Sequence, residues 1–152
     1  LVIGKSLGGG YCPVSAVLAR GDMLDVLHPG EHGSTFGGNP LACAVGRAAL
    51  DVLVEDDLST RAAAMGAYIR SRLEKQVGRR INRIKGRGMM LGLELPSDSI
   101  GASELAKKLL DHRLVCNAAS ASVLRFTPPL TIEEEEADWA LDRLEEGLQR
   151  IG

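Results

Sequence analysis

Apolar residues recur every three or four positions in several stretches of the chain, which is the spacing of one face of a helix. Helices are predicted over about 40–54, 58–77 and 102–112, from Thr131 to near the chain end, and in a short segment at about 22–27. Three of them carry a stripe that we expect to face a core: Leu41, Val45, Ala48, Ala49 and Val52; Ala62, Met65, Ile69, Leu73 and Val77; Ala137, Leu141, Leu144, Leu148 and Ile151.

Residues that favour helix ends stand where these patterns begin. Asn39 is a good N-cap, and Pro40 suits the first helical position. Thr131 is expected to form a capping box with Glu134, and the acidic run 133–136 suits the positive end of the helix dipole. We therefore interpret that acidic run as a solvated helix start and not as a metal site.

Short β-prone runs lie before and between the helices. Residues 1–3 and 14–19 predict two strands of a buried sheet. Four further strands are predicted, the first a basic edge strand: 79–85, 89–95, 114–116 and 122–126. The composition changes near Val54, which predicts an incomplete α/β portion over 1–54 and an α+β domain over 55–152.

The bulk composition fits a soluble globular protein. The 152 residues are 45% hydrophobic and carry a formal net charge of -2, which gives no sign of a nucleic-acid or membrane surface. No apolar run reaches the roughly 18 residues of a spanning helix, and we expect no signal peptide. Cys12, Cys43 and Cys116 lack metal-ligand spacing, so we expect buried thiols in a reducing cytoplasm. The chain opens in mid-strand without Met, so a preceding segment is expected to be missing.

Lys5 follows the first predicted strand and stands just before Gly8, Gly9 and Gly10. These glycines let the backbone bend sharply and let another group approach. A partly desolvated lysine is an amine nucleophile that can form a Schiff base with an aldehyde. The alternative is a solvated lysine at the end of a strand.

The loop 32–38 has the ingredients of an anion-binding loop. Its glycines let backbone N–H groups point inward, and Ser34 and Thr35 add hydroxyl donors. The following helix would add the positive end of its dipole if its N-terminus points the same way. The alternative is a turn-rich connector. His28 and His32 lack the intervening helix and further ligands of a zinc site, so we expect them to pack in the loop or lie at the surface.

Arg125 lies between Leu124 and Phe126 in a predicted strand. An arginine within an apolar strand is costly to leave unpaired. A bidentate contact with a substrate carboxylate is one solution. An internal ion pair with Glu or Asp is the other, and the residues leave both open.

Lys5, the Gly-Ser-Thr loop and Arg125 occur together in that order, and the stretches 4–10, 29–41 and 123–132 are the most specific. They resemble the class III pyridoxal-phosphate aminotransferases over essentially the whole chain. The resemblance implies the tail of the large α/β domain of a fold-type I aminotransferase, followed by the small C-terminal α+β domain.

The resemblance also implies roles for four residues. Lys5 would hold pyridoxal phosphate covalently and, once released by substrate, move a proton between the substrate Cα and the cofactor C4′. Ser34 and Thr35 match positions that bind the cofactor phosphate in the partner's site of a homodimer. Arg125 matches the arginine that binds the α-carboxylate of glutamate or 2-oxoglutarate.

The Pro-Gly-Glu-His lead at 29–32 resembles the ornithine branch of this family more than the acetylornithine or 4-aminobutyrate branches. That branch implies conversion of ornithine to glutamate semialdehyde, with 2-oxoglutarate as the amine acceptor. Two stretches depart from the pattern. Residues 117–120 lack the Lys and Thr-His pair common in ornithine members, and Cys12 stands where an aromatic residue is usual.

The resemblance implies that further active-site groups lie in an N-terminal half. We therefore expect activity only with that half, supplied by the same or a separate chain. The alternatives are an acetylornithine or 4-aminobutyrate specificity, or a non-catalytic partner subunit or relic.

Overall fold

The structure, a computed structural model, describes residues 1–149. Contacts divide the chain after Asp57 into a first unit and a second unit that begins at Leu58. This division lies three residues beyond the boundary that composition predicts near Val54. The assignment of the units to the two aminotransferase domains stays a prediction.

The first unit contains two short strands, a 3₁₀ turn and two helices. Its elements are β1 Val2–Ile3, the 3₁₀ turn Lys5–Gly8, β2 Ala16–Val17, α1 Gly21–Leu24 and α2 Pro40–Glu55. Strands β1 and β2 pair antiparallel, with Val2 opposite Val17. The prediction that both strands are buried is wrong for this chain, because Val2 is 76% and Val17 is 61% exposed.

Helix α2 begins as the sequence predicts. The Asn39 Oδ1 accepts the backbone N–H of Ala42 at 2.9 Å, and Pro40 occupies the first turn. The predicted stripe is only partly correct: Val45 and Ala49 are half-buried, but Leu41 is exposed, whereas Ala42 and Gly46 are buried. The small residues face inward because the helix lies close to the 3₁₀ turn: a Cβ on Gly46 would stand 3.7 Å from the Leu7 carbonyl oxygen.

The second unit contains three helices and a four-stranded antiparallel sheet. Its elements are α3 Leu58–Glu74, β3 Arg83–Arg87, β4 Met90–Glu94, α4 Ala102–Asp111, β5 Asn117–Ala118, β6 Val123–Phe126 and α5 Glu134–Gln149. The sheet order is β3-β4-β6-β5, which confirms the predicted basic edge strand.

Two strand predictions need correction. The strand predicted at 114–116 forms instead at 117–118, and the turn between β3 and β4 lies at 88–89, whereas the sequence predicts it at 86–88. Gly86 remains in β3 opposite Leu91. There it has a positive φ of 103°, and a Cβ would stand 1.9 Å from the Met90 carbonyl oxygen. Only glycine fits that position.

The core lies on one face of this sheet. Sheet residues Leu91, Leu93, Leu124 and Phe126 pack with residues of the three helices. The helical members include Ile69 and Leu73 of α3, Leu105 and Leu109 of α4, and Leu141, Leu144 and Leu148 of α5. The stripes predicted for α3 and α5 are thus confirmed at these positions, whereas Val77 follows the end of α3 and is exposed. Ile151 lies outside the described residues.

Helix α5 begins later than predicted. It starts at Glu134, and the backbone N–H of Glu133 donates to the Glu136 carboxylate at 3.0 Å. Within residues 1–149, this bond replaces the predicted box between Thr131 and Glu134. The acidic residues do lie in the first turn, where the helix dipole stabilises them.

Helix α3 approaches the backbone of the β3–β4 turn at Gly66. A Cβ there would stand 2.3 Å from the Gly88 carbonyl oxygen. We predict that Gly66→Ala lowers the free energy of unfolding by about 1–3 kcal/mol, since the turn must move as a unit. Urea unfolding followed by circular dichroism measures the change.

Gly147→Ala in α5 is the matched control. Its Cβ would stand 2.5 Å from the Leu109 Cδ2, which is the end of a side chain that can change rotamer. The control is therefore expected to cost less than Gly66→Ala. Equal midpoints for the two variants would show that the backbone contact at Gly66 is not tight.

Candidate functional site

Lys5 occupies a bend between the two strands of the first unit. Its φ is 57°, in the left-handed region that is uncommon for a residue other than glycine. Such conformations cost about 1–3 kcal/mol and cluster at functional sites. The side chain is exposed, and among the described residues its amine makes no hydrogen bond or ion pair.

The glycines after Lys5 turn the chain back toward β2. Gly9 has φ 60° and donates its N–H to the Ser6 carbonyl at 2.9 Å. Gly8 is buried, and a Cβ there would stand 3.1 Å from the Val14 Cγ1. The backbone thus holds Lys5 in place through contacts that larger residues would prevent.

Ser34 and Thr35 lie in an exposed loop that bonds to itself. The Ser34 Oγ accepts the Gly37 N–H at 2.9 Å, and the Asn39 amide donates to the Phe36 carbonyl at 2.8 Å. Gly37 favours glycine, since a Cβ would stand 2.9 Å from the Ser34 Cβ and the loop would have to shift. The Ser34 hydroxyl proton and the exposed Thr35 hydroxyl are left to donate to a ligand.

His28 and His32 are both exposed, which is one of the two outcomes that the sequence predicts for them. The His28 N–H donates to the Glu31 carboxylate at 2.7 Å. No cluster of three metal-ligating side chains occurs within residues 1–149, and none of the helices in that range is long and apolar enough to cross a membrane. The three cysteines are free thiols, but Cys43 is exposed and Cys12 and Cys116 are only half-buried, so the expectation that all three are buried is wrong.

Arg125 lies on the face of the second unit's sheet opposite the core. It pairs with Gly92 of β4 and Asn117 of β5, while its neighbours Leu124 and Phe126 point into the core. The Arg125 side chain is exposed, and its guanidinium makes no ion pair with any described residue. The internal ion pair that the sequence left open is therefore not formed in the described part of the chain.

The same open face carries charges whose arrangement the sequence did not reveal. Arg83, Lys85 and Arg87 alternate along β3 with the core-facing Ile84. Glu94 of β4 receives the Lys85 amine at 2.6 Å and the Arg83 guanidinium at 3.4 Å. The hydrogen bond from Lys85 lowers the pKa of Glu94 below the ordinary glutamate value. The alternation of charge could have indicated this face, but only the register shows which charges meet.

Each unit thus contributes its own candidate residues. Lys5, Ser34 and Thr35 belong to the first unit and Arg125 to the second. The first group offers an amine and two hydroxyl donors, which suit an aldehyde and an anion. Arg125 offers an unpaired guanidinium, which suits a carboxylate.

Known proteins are similar to this chain along nearly its whole length. A family model described as aminotransferase class III matches residues 1–148. The curated ornithine aminotransferase 2 of Staphylococcus saprophyticus is 47% identical over 143 residues, which are 94% of this chain and 35% of that protein.

Solved structures give the same result. The ornithine aminotransferase of Toxoplasma gondii matches with a TM-score of 0.90 at 42% identity, covering 99% of this chain and 36% of that one. The acetylornithine aminotransferase of Elizabethkingia anophelis gives 0.89 at 40% identity, covering 99% and 40% respectively.

The chain belongs to the class III aminotransferases, and its fold is that of part of a fold-type I aminotransferase. It spans about a third of the length of the curated relatives that it matches, 35% in the case of the Staphylococcus protein.

The lowered pKa of Glu94 gives a prediction for stability against pH. A folded pKa below the unfolded value stabilises the fold above the ordinary glutamate pKa of about 4.3, and this contribution disappears as the pH falls through the folded pKa. We expect Glu94→Gln to make the free energy of unfolding fall less steeply on acidification. Urea titrations between about pH 6 and pH 3 measure the slope.

Lys85→Met tests the cause from the other side of the pair. Because Lys85 is the largest source of the lowered pKa, its removal should flatten the same acid limb. An unchanged slope in both variants would show that the pair does not persist in solution.

Proposed function

We propose that this chain is the C-terminal portion of a pyridoxal-phosphate-dependent aminotransferase that converts ornithine to glutamate semialdehyde, with 2-oxoglutarate as amine acceptor. The observation that supports this most strongly is the similarity to ornithine aminotransferases along nearly the whole chain, at identities of 43% to 47%. An acetylornithine aminotransferase has a comparable structure, but the curated relatives with the highest identities act on ornithine by name.

The residues of the first unit fit the proposed cofactor. Pyridoxal phosphate supplies an aldehyde and an electron sink when it is bound. The exposed Lys5 amine would bind the aldehyde carbon and, once the substrate amine has displaced it, would hold the proton that leaves the substrate carbon bearing the amine. Ser34 keeps its O–H available, because its oxygen accepts the Gly37 N–H, and Ser34 and Thr35 would donate to the phosphate.

Arg125 would bind the α-carboxylate of glutamate or 2-oxoglutarate. Its guanidinium is exposed and unpaired among the described residues, and the strand fixes its Cα between two buried neighbours. A planar guanidinium matches a carboxylate through two parallel hydrogen bonds. Binding both dicarboxylates through the same group suits a reaction in which one replaces the other.

Activity would require the part of the relatives' length that this chain does not span. In support, the strands of the first unit expose apolar residues on this chain, with Val2 76% and Val17 61% exposed. We propose that the complete enzyme is a cytoplasmic homodimer in which Ser34 and Thr35 serve the partner's site.

Borohydride trapping tests the role of Lys5. In the isolated chain with pyridoxal phosphate, we predict adducts on several exposed lysines and negligible transamination, because Lys5 is exposed there. With an N-terminal portion supplied as a second chain, the adduct should concentrate on Lys5, and ornithine transamination should appear. Peptide mass mapping locates the adduct, and the Lys5→Met mixture should lose roughly 10²–10⁴-fold in rate.

Lys75→Met is the matched control, since Lys75 is also exposed but lies in the second unit. It should leave trapping and rate unchanged. Family-level transamination by the isolated chain, or full activity of the Lys5→Met mixture, would contradict the proposal. Association of the two portions without cofactor binding would instead support a non-catalytic subunit.

Steady-state kinetics of the same mixture test Arg125. We predict that Arg125→Gln raises the KM for 2-oxoglutarate roughly tenfold to a hundredfold, which is the range for losing hydrogen bonds to a charged group. Arg87→Gln removes a cation from the same face of the sheet and should change this KM little. Equal effects of the two variants would indicate general electrostatic attraction and not a specific contact.

A further inference from the structure

One row of paired residues crosses the open face of the second unit's sheet. Lys85 of β3 is opposite Gly92 of β4, which is opposite Arg125 of β6, which is opposite Asn117 of β5. Directly opposed residues of antiparallel strands point to the same face. Lys85 and Arg125 therefore stand on the same face, separated by a residue without a side chain.

Among the residues of the four strands, Glu94 is the acidic residue on this face that could compete for Arg125. It pairs with Val123, two residues before Arg125 on β6, so it is diagonal to the arginine. Diagonal neighbours lie about 7–8 Å apart, within reach of long side chains. Gly92 has no side chain, but the Val123 Cγ1 lies over it, 3.1 Å from where a Gly92 Cβ would stand. The long Glu94 side chain would reach Arg125 by passing over this methyl group. A free Glu94 carboxylate would therefore be expected to turn toward the unpaired guanidinium.

The Glu94 carboxylate points toward β3, on the side of β4 that faces away from Arg125. The Lys85 amine contacts its Oε2 at 2.6 Å, and the Arg83 guanidinium contacts the same oxygen at 3.4 Å. The Lys85 contact is the shorter, and the Glu94 side chain is only 29% exposed. Both cations come from the edge strand β3, so they draw the carboxylate away from β6.

We propose that Lys85 is a positioning residue for Arg125. By holding Glu94 toward β3, it prevents an internal ion pair with Arg125 and so leaves the guanidinium free for a substrate carboxylate. This inference rests on the proposed function of Arg125. It assigns a role to the basic edge strand, which the proposed reaction does not otherwise use.

The first test needs no ligand. The Arg125 side-chain Nε–H signal is followed by nitrogen NMR in the full 152-residue chain. It is assigned as the signal that is lost in Arg125→Lys. Lys85→Met should shift this signal and slow its exchange with water, because Glu94 now pairs with Arg125. Arg83→Met/Lys85→Met should enlarge the shift, and adding Glu94→Gln to either variant should restore the original signal.

Arg87→Met is the matched control. It removes a cation from the same strand and face, but no ion pair links Arg87 to a described residue. It should leave the Arg125 signal in place. Lys85→Arg should also leave it in place, since arginine can hold Glu94 equally. An unchanged signal in the double variant, or a shift that Glu94→Gln does not reverse, would overturn the inference.

The second test separates this inference from the proposed function. Titration with 2-oxoglutarate should move the Arg125 signal of the unmodified chain, and Lys85→Met should weaken that affinity roughly two- to fivefold, the usual size of such ion pairs. Glu94→Gln should restore it. No response in the unmodified chain would count against carboxylate binding by Arg125, while the ligand-free signals would still decide the role of Lys85.

Discussion

The alternation of side chains across the antiparallel sheet is the constraint on which the second unit depends. Leu91, Leu93 and Leu124 are at most 1% exposed on one face, where three helices cover them. Burial of these side chains fixes the register, because a slip of one residue would send each of them to the other face. The same register delivers Arg125 to the open face without any interaction of its own.

Backbone contacts at glycine form a second constraint. Gly66 lets α3 approach the β3–β4 turn, and Gly86 supplies a conformation that other residues rarely adopt. In the first unit, Gly8 and Gly9 fold the chain tightly after Lys5. The strained φ of Lys5 is therefore maintained by its surroundings, as in many sites where a reactive side chain must be presented outward.

On the open face of the sheet, the acidic Glu94 forms ion pairs with cations of β3 and not with Arg125. This face carries three cations on β3 and Arg125 on β6, but Glu94 pairs with the two nearest cations of β3. Because Glu94 pairs with the cations of β3, the Arg125 guanidinium keeps all its N–H groups available to donate hydrogen bonds. The proposed carboxylate contact would desolvate only an exposed guanidinium, which costs less than breaking a buried ion pair.

The sequence by itself determined the elements, the Asn39 cap and the edge position of β3, because each follows from local pattern and chemistry. It also determined the family, through motifs around Lys5, the Gly-Ser-Thr loop and Arg125. The tertiary structure decided which helix faces are buried. In α2, close approach to the 3₁₀ turn selects Ala42 and Gly46 over the larger Leu41.

Only the tertiary structure decided the partners of the charged residues. Arg125 could have paired with an acidic residue or remained free, and Glu94 could have paired with any nearby cation. These outcomes depend on cross-strand register, which joins residues far apart in the chain and is set by burial of the opposite face. The local sequence determines which charged residues are present, whereas the packing of distant segments determines which of them form ion pairs.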